Sequence, residues 1–375
     1  MVRTMSVQVF GPAYLDRVLR VDGPLHAPGE RPLDRSVDGV LSPGAGLKMI
    51  DASGAAVSIQ LPNRWPGPTG SIALMSGLQE ALVKSSISVV GLSWRDDLGG
   101  MGAGFASALG GELRCVLGGE EDPISLSIVE RLAGVGIQSR PVRVPNQSAD
   151  WTLLVTSGAF GDKLPVGFRG CHASLQTLGE EPANASVCDL RIVAALPNRL
   201  ADEALRGSGA RVRMFAPSMR NMTDRLEPLV RFAHAIDILS CNRHEWESLA
   251  EREQVAWQVS VLAVTDGPNG STLRFTRPDG EPGRVVVPAF PRSDPIRDTN
   301  RAGETYASTL VSTLLKGGWS PGVLDSALAE KAVLRASAAS ALVLDRLQFG
   351  FPTPEEIDAA IQKGRVDRLT GGGER

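Results

Sequence analysis

Asp298-Thr-Asn-Arg-Ala-Gly-Glu304 leads directly into Thr305-Tyr-Ala-Ser-Thr-Leu-Val-Ser-Thr-Leu-Leu-Lys316. Leu310, Val311, Leu314 and Leu315 recur at helical spacing, and Gly317-Gly318 supplies a stop, so a helix is expected to begin near Ala302. The first N–H groups of such a helix have no intrahelical partner and carry the positive end of its dipole. Ala302 and Gly303 are small enough to let an anion approach that backbone closely. Glu304 then places a carboxylate beside the anion, where a base could take the proton of an attacking hydroxyl. Taken alone, the run leaves a second reading equally open: acids are favoured in the first turn of any helix.

Outward from this run, strand, loop and helix alternate. Residues 6–10, 87–91, 116–118, 192–196, 211–215, 236–239 and 261–264 are short, largely apolar runs, the pattern of parallel strands buried on both faces. Helical patterns occupy residues 102–109 and 124–132. A doubly wound, mostly parallel α/β sheet is the fold class expected. Residues 23–70 are rich in Gly, Pro and polar side chains, with strand-like pieces such as 56–61. With the strand candidates 151–155 and 164–170 they are expected to form a small separate β-sheet. The tail from residue 370 to 375 is expected to fray.

Composition narrows the function classes. Of 375 residues, 42% are hydrophobic and 22% charged, as in an ordinary globular chain. Lys plus Arg number 39 against 42 Asp plus Glu, a net charge of -3 that exerts no global pull on nucleic acid or an anionic membrane. Cys115, Cys171, Cys188 and Cys241 form no Cys-x-x-Cys pair, so buried reduced thiols are expected. The N-terminal residues show no signal-peptide core, no run nears about 20 apolar residues, and a cytoplasmic location is expected. Neither a P-loop nor a dinucleotide fingerprint is present, and His244-Glu245 lacks the second His of a zincin helix. His26, His172 and His234 show no ligand spacing.

Asp298 to Glu304 resembles the Asp-Thr-x-Gly-Ala-Gly-Asp signature of the ribokinase-like, or PfkB, carbohydrate kinases, and the resemblance extends over most of the chain. Gly99-Gly100-Met-Gly-Ala-Gly-Phe-Ala-Ser-Ala-Leu-Gly110 is similar to that family's Gly-Gly segment. Gly11 to Asp16 resembles its opening, Asn242-Arg-His-Glu245 its Asn-x-x-Glu, and Thr265-Asp-Gly-Pro-Asn-Gly270 its nucleotide loop. Residues 338–341 and 350–352 are similar to the helix and turn bordering the nucleotide base.

The resemblance implies one kinase domain over residues 1–369, with lid segments at about 17–61 and 150–169. ATP and Mg2+ are implied, with a sugar or nucleoside as acceptor. Glu304 would be the base and Ala302, Gly303 and Glu304 the anion hole; Arg301, standing where the family has glycine, is expected from its own charge to supply a cation to the transferring group. Asp16, Gly99, Gly100 and Gly104 would face the acceptor. Asn242, Glu245, Thr265, Gly267, Gly270 and Ala338 would face the nucleotide, Glu245 with an indirect role in metal binding. Asp298 and Asn300 match a monovalent-cation site of some members, implying K+, and many members dimerise through lid strands. Three departures stand out: Arg301 replaces a glycine, Glu304 an aspartate, and Gly104 an asparagine. They keep a second expectation open, a ligand-binding member with impaired catalysis.

Overall fold

The computed structural model describes residues 5–21, 38–41, 46–50, 56–60, 71–75, 91–157, 162–179, 187–207, 209–292, 301–346 and 349–370. Among these the main sheet has eight strands: β1 (Val7–Phe10), β8 (Glu112–Arg114), β13 (Cys188–Ala194), β14 (Ala210–Ala216), β15 (Ile238–Asn242), β16 (Val261–Thr265), β17 (Ser271–Thr276) and β18 (Pro282–Val287). Their order is β18-β17-β16-β15-β14-β13-β1-β8. Pairing is parallel from β8 to β16, and β17 and β18 close the edge antiparallel. Residues 190–194 and 261–264 are buried in unbroken runs, so both faces of the sheet are covered.

Helices α1 (Met101–Leu109), α8 (Ala302–Lys316) and α9 (Ser326–Val343) pack on one another and against the sheet. Along α8, Leu310, Val311 and Leu314 are fully buried, each contributing about 1.5–3 kcal/mol. The buried Tyr306 hydroxyl meets Ser271 Oγ at 3.0 Å and ties α8 to β17. Helices α2 (Pro123–Gly134), α3 (Cys171–Ser174), α4 (Asn198–Arg206), α5 (Met219–Thr223), α6 (Arg243–Ser248), α7 (Arg252–Gln258) and α10 (Pro354–Thr370) complete the set. No described helix is long and apolar enough to cross a membrane.

The second sheet takes β3 (Asp38–Leu41), β6 (Ser71–Met75), β12 (Asp162–Arg169), β11 (Trp151–Ser157), β2 (Tyr14–Val21) and β7 (Gly91–Gly99), in that order. It reaches beyond residues 17–61 and 150–169, because β7 returns antiparallel along β2 from Gly91 to Gly99. Among the described residues, strands β4 (Gly46–Ile50) and β5 (Ala56–Gln60) pair with each other as a separate two-stranded sheet. The strand expected at 116–118 shrinks to β9 (Val116–Leu117), paired with β10 (Val142–Arg143) outside the main sheet. At Gly118 a Cβ would lie 2.3 Å from the Gln147 carbonyl, so close backbone approach ends the strand there. Residues 87–90 of one expected strand and residues 371–375 lie outside the described residues, while α10 continues through Thr370.

Candidate active site

Parallel strands of a doubly wound sheet deliver their C-terminal ends to one rim. Asn242 closes β15 and Thr265 closes β16, in register with each other. Both line a cavity of about 190 Å³ that Gly303 and Glu304 border from the first turn of α8. Within α8 the first intrahelical bond runs from Thr305 N to Arg301 O at 2.9 Å. The N–H groups of Ala302, Gly303 and Glu304 therefore precede it, at the positive end of the helix. A Cβ on Gly303 would meet nothing within 4 Å, so this backbone is open to a ligand.

Asn242 and Glu245 form a capping box at the start of α6. Asn242 Oδ1 accepts from Glu245 N at 2.8 Å, and Glu245 Oε2 accepts from Asn242 N at 2.9 Å. Ordinary helix capping thus accounts for this Asn-x-x-Glu, and the same geometry delivers Glu245 to the cavity. Burial drives the Glu245 carboxyl up to about 7; the Asn242 N–H bond pulls it down and the Glu304 charge pushes it up. Behind them, burial and the Glu245 charge hold the Cys241 thiol well above its ordinary range.

On the opposite side, Asp16 and Gly99 meet across the β2–β7 pair. A Cβ on Gly99 would sit 2.1 Å from Asp16 Oδ2, so the glycine is what lets the carboxylate lie over this strand. Gly100, at φ +92, crosses Pro12. Gly104 on α1 faces Glu304: a Cβ there would stand 3.2 Å from Glu304 Cγ.

No family model and no curated protein matches the chain. Solved structures do. Ribokinase from Thermotoga maritima aligns over 96% of this chain and 99% of its own, at 18% identity and a TM-score of 0.62. A Methanocaldococcus jannaschii nucleoside kinase, described as an archaeal member of the ribokinase family, covers 96% and 99% at 16% identity and a TM-score of 0.64. A Burkholderia thailandensis nucleoside kinase in complex with inosine covers 98% and 97% at 17% identity and a TM-score of 0.61.

The fold is ribokinase-like.

On this ribokinase-like frame the remaining expected residues separate. Gly267 and Gly270 shape the turn after β16; a Cβ on Gly270 would fall 2.0 Å from Val287 O. Ala338 is fully buried with Ala339, Ile357 and Ile361 where α9 meets α10. Asp298 and Asn300 lie outside the described residues. Arg301 caps α8 in the left-handed region, φ +68 and ψ 0, where glycine is the unstrained residue. Its guanidinium lies 5.8 Å over the Phe349 ring and donates to Arg346 O at 3.4 Å.

Sequence reasoning missed the Gly104–Glu304 contact. The ribokinase-like signature that these segments resemble carries an asparagine and an aspartate where this chain has Gly104 and Glu304, and in this structure the two positions face each other. Phe351, within the residues 350–352 expected to border the nucleotide base, has its ring 3.6 Å from a Cβ placed on Gly104.

Proposed function

We propose that this chain is a PfkB-type kinase that transfers the γ-phosphoryl group of ATP to a hydroxyl of a sugar or nucleoside. The observation that carries this reading is the shared cavity: the carboxylate-bearing first turn of α8 opens onto the ends of β15 and β16. Glu304 takes the proton of the acceptor hydroxyl as its oxygen attacks the γ-phosphorus, and the bond to the bridging oxygen of ADP breaks. The N–H groups of Ala302, Gly303 and Glu304 hold the transferring oxygens at the helix N-terminus. Asp16 binds acceptor hydroxyls above Gly99, Gly100 and Gly104.

On the nucleotide side stand Asn242, Thr265 and the Gly267–Gly270 turn, with Ala338 supporting the wall. Two carboxylates, Glu245 and Glu304, converge on one cavity, a donor set that suits a divalent cation. Glu245 would hold Mg2+ through water and phosphate, and the ion would neutralise phosphate charge. Arg301, leaving Phe349, is within the same turn and supplies a cation to the phosphoryl group. Closure of the second sheet excludes water; dimerisation through its strands and a K+ site at Asp298 and Asn300 complete the reading.

The test is ADP release from ATP and Mg2+, with and without K+, across sugars, sugar phosphates and nucleosides. Acceptor-dependent ADP release is expected. Folded protein that binds ATP and stays silent across the panel would overturn catalysis and favour a binding protein on this fold.

A further inference from the structure

Away from the cavity, three side chains that motif spacing does not connect meet at the root of the second sheet. Asp150 immediately precedes β11, and Cys171 and His172 immediately follow β12 and Gly170. The antiparallel pairing of those strands, Trp151 opposite Phe168, brings the two ends together. All three residues are buried, Asp150 and Cys171 at 1% and 0% exposure and His172 at 7%. Such a group of thiol, imidazole and carboxylate has no apolar packing role that alanine or leucine would not fill better.

The geometry points to a binding site for one divalent metal ion of the zinc class, with Cys171 Sγ, His172 Nδ1 and Asp150 Oδ1 as ligands. These atoms stand 3.4 Å (Nδ1 to Oδ1), 3.8 Å (Sγ to Oδ1) and 3.9 Å (Sγ to Nδ1) apart. A tetrahedral ion with bonds of about 2.0–2.3 Å to N, O and S requires ligand separations of roughly 3.3–3.6 Å. Shifts of a few tenths of an ångström bring all three onto one such ion. The carbonyl oxygen of Val116, 3.6 Å from the same sulfur, is the candidate fourth ligand.

Donor chemistry selects the metal. A thiolate and an imidazole favour zinc over magnesium or calcium, which take oxygen. Gly170 N donates to Asp150 Oδ1 at 2.9 Å and fixes the carboxylate, and Tyr14 sets its ring edge-on to the imidazole at 5.7 Å. The ring's Nε2 is buried without a hydrogen-bond partner among the described residues, so Nδ1 alone ties the imidazole by polar contact. On binding, the Cys171 thiol gives up its proton to solvent and the metal–sulfur bond forms. The ion would staple both ends of the β11–β12 hairpin to the chain at Val116, independently of any phosphoryl transfer.

The experiment is metal analysis of the full-length chain after dialysis, followed by titration of the metal-free chain with Co2+. About one zinc or cobalt per chain is expected, and the cobalt form should show a thiolate-to-metal charge-transfer band with intense tetrahedral d–d absorption. Cys171→Ala and His172→Gln should each weaken metal binding at least a hundredfold, and Cys171→Ala should abolish the charge-transfer band. Cys115→Ala, which removes a buried thiol outside the cluster, should leave the band unchanged. A wild-type chain that takes up no stoichiometric cobalt, or a Cys171→Ala chain that keeps the band, would overturn the site. A hydrogen-bonded Asp150–His172 pair alone would then describe it. Should the cluster variants fail to fold, the wild-type titration decides by itself.

Discussion

On the proposed acceptor wall, backbone presses on backbone. A Cβ at Gly100 would lie 2.4 Å from Pro12 O and one at Gly102 would lie 2.5 Å from the Gly11 carbonyl carbon. On the proposed phosphoryl wall, a Cβ at Gly303 would meet nothing within 4 Å, and Glu245 and Glu304 bring two carboxylates together. The first wall is shaped by the side chains it lacks, and the second by the carboxylates it brings together. Substitutions on the first should therefore act through fold and placement. Substitutions on the second should act through chemistry and pH.

The largest effect is expected at Glu304. Glu304→Gln keeps the shape and removes the proposed base, so steady-state ADP release should fall about 10²–10⁴-fold. ATP affinity by calorimetry should stay within about threefold of wild type. Undiminished turnover would remove Glu304 from the chemistry.

Next comes a matched pair, one glycine from each wall. Gly100→Ala meets both positive φ and the Pro12 carbonyl, and should destabilise by about 2–4 kcal/mol in a guanidinium melt. Gly303→Ala, in an open first helical turn, should stabilise by about 0.5–1 kcal/mol. Equal effects at the two sites would erase the contrast between the walls.

Gly99→Ala is intermediate. The added methyl meets the tip of Asp16 rather than backbone, so the carboxylate moves and the fold survives. Acceptor KM should rise about tenfold, a loss of about 1.4 kcal/mol, with kcat changing less. An unchanged KM would take Asp16 away from the acceptor.

Glu245→Gln tests the electrostatic wall. The Glu245 carboxyl is raised from 4.5 to about 7, so between those pH values the folded chain keeps a proton that the unfolded chain has lost. Folded-state stability from this group is complete below about pH 4.5 and declines as pH rises to 7. Glutamine mimics the neutral acid and still fits the capping box. The variant's Tm should match wild type near pH 4.5 and exceed it at pH 8; parallel curves would refute the shift.

The smallest effect is at Arg301. Arg301→Gly should be more stable than Arg301→Ala by about 1 kcal/mol in denaturant melts, because both lose the Phe349 contact but only glycine relaxes at φ +68. Equal midpoints would mean the left-handed cap is not strained.

Much of this frame was legible in residue order. The expected helix start near Ala302 and stop at Gly317 coincide with α8, because small residues, apolar spacing and a terminal glycine all act locally. Strands expected at 192–196, 211–215 and 261–264 overlap β13, β14 and β16, since burial on both faces leaves an unbroken apolar run. Strands β17 and β18 were not read: Thr272 and Arg274 alternate with the buried Leu273 and Phe275 in β17, and Arg284 interrupts β18, so neither is an unbroken apolar run. Asn242 and Glu245 were legible as an Asn-x-x-Glu motif, which the structure forms as a local capping box. Asp150, Cys171 and His172 were not, because only the register of a hairpin joins residues 150 and 171. The facing of Gly104 and Glu304 depends likewise on how α1 packs on α8, and no spacing along the chain encodes it.

The four thiols, all reduced and buried, sit at different depths of the architecture: Cys171 at the root of the second sheet, Cys115 just after β8, Cys188 at the start of β13 and Cys241 near the end of β15. An alkylating reagent can reach each one only when its own surroundings open. The chain therefore carries four internal clocks. Mass spectrometry of timed alkylation would read them separately, and the order in which the sulfurs are tagged would rank the segments by how often each comes apart.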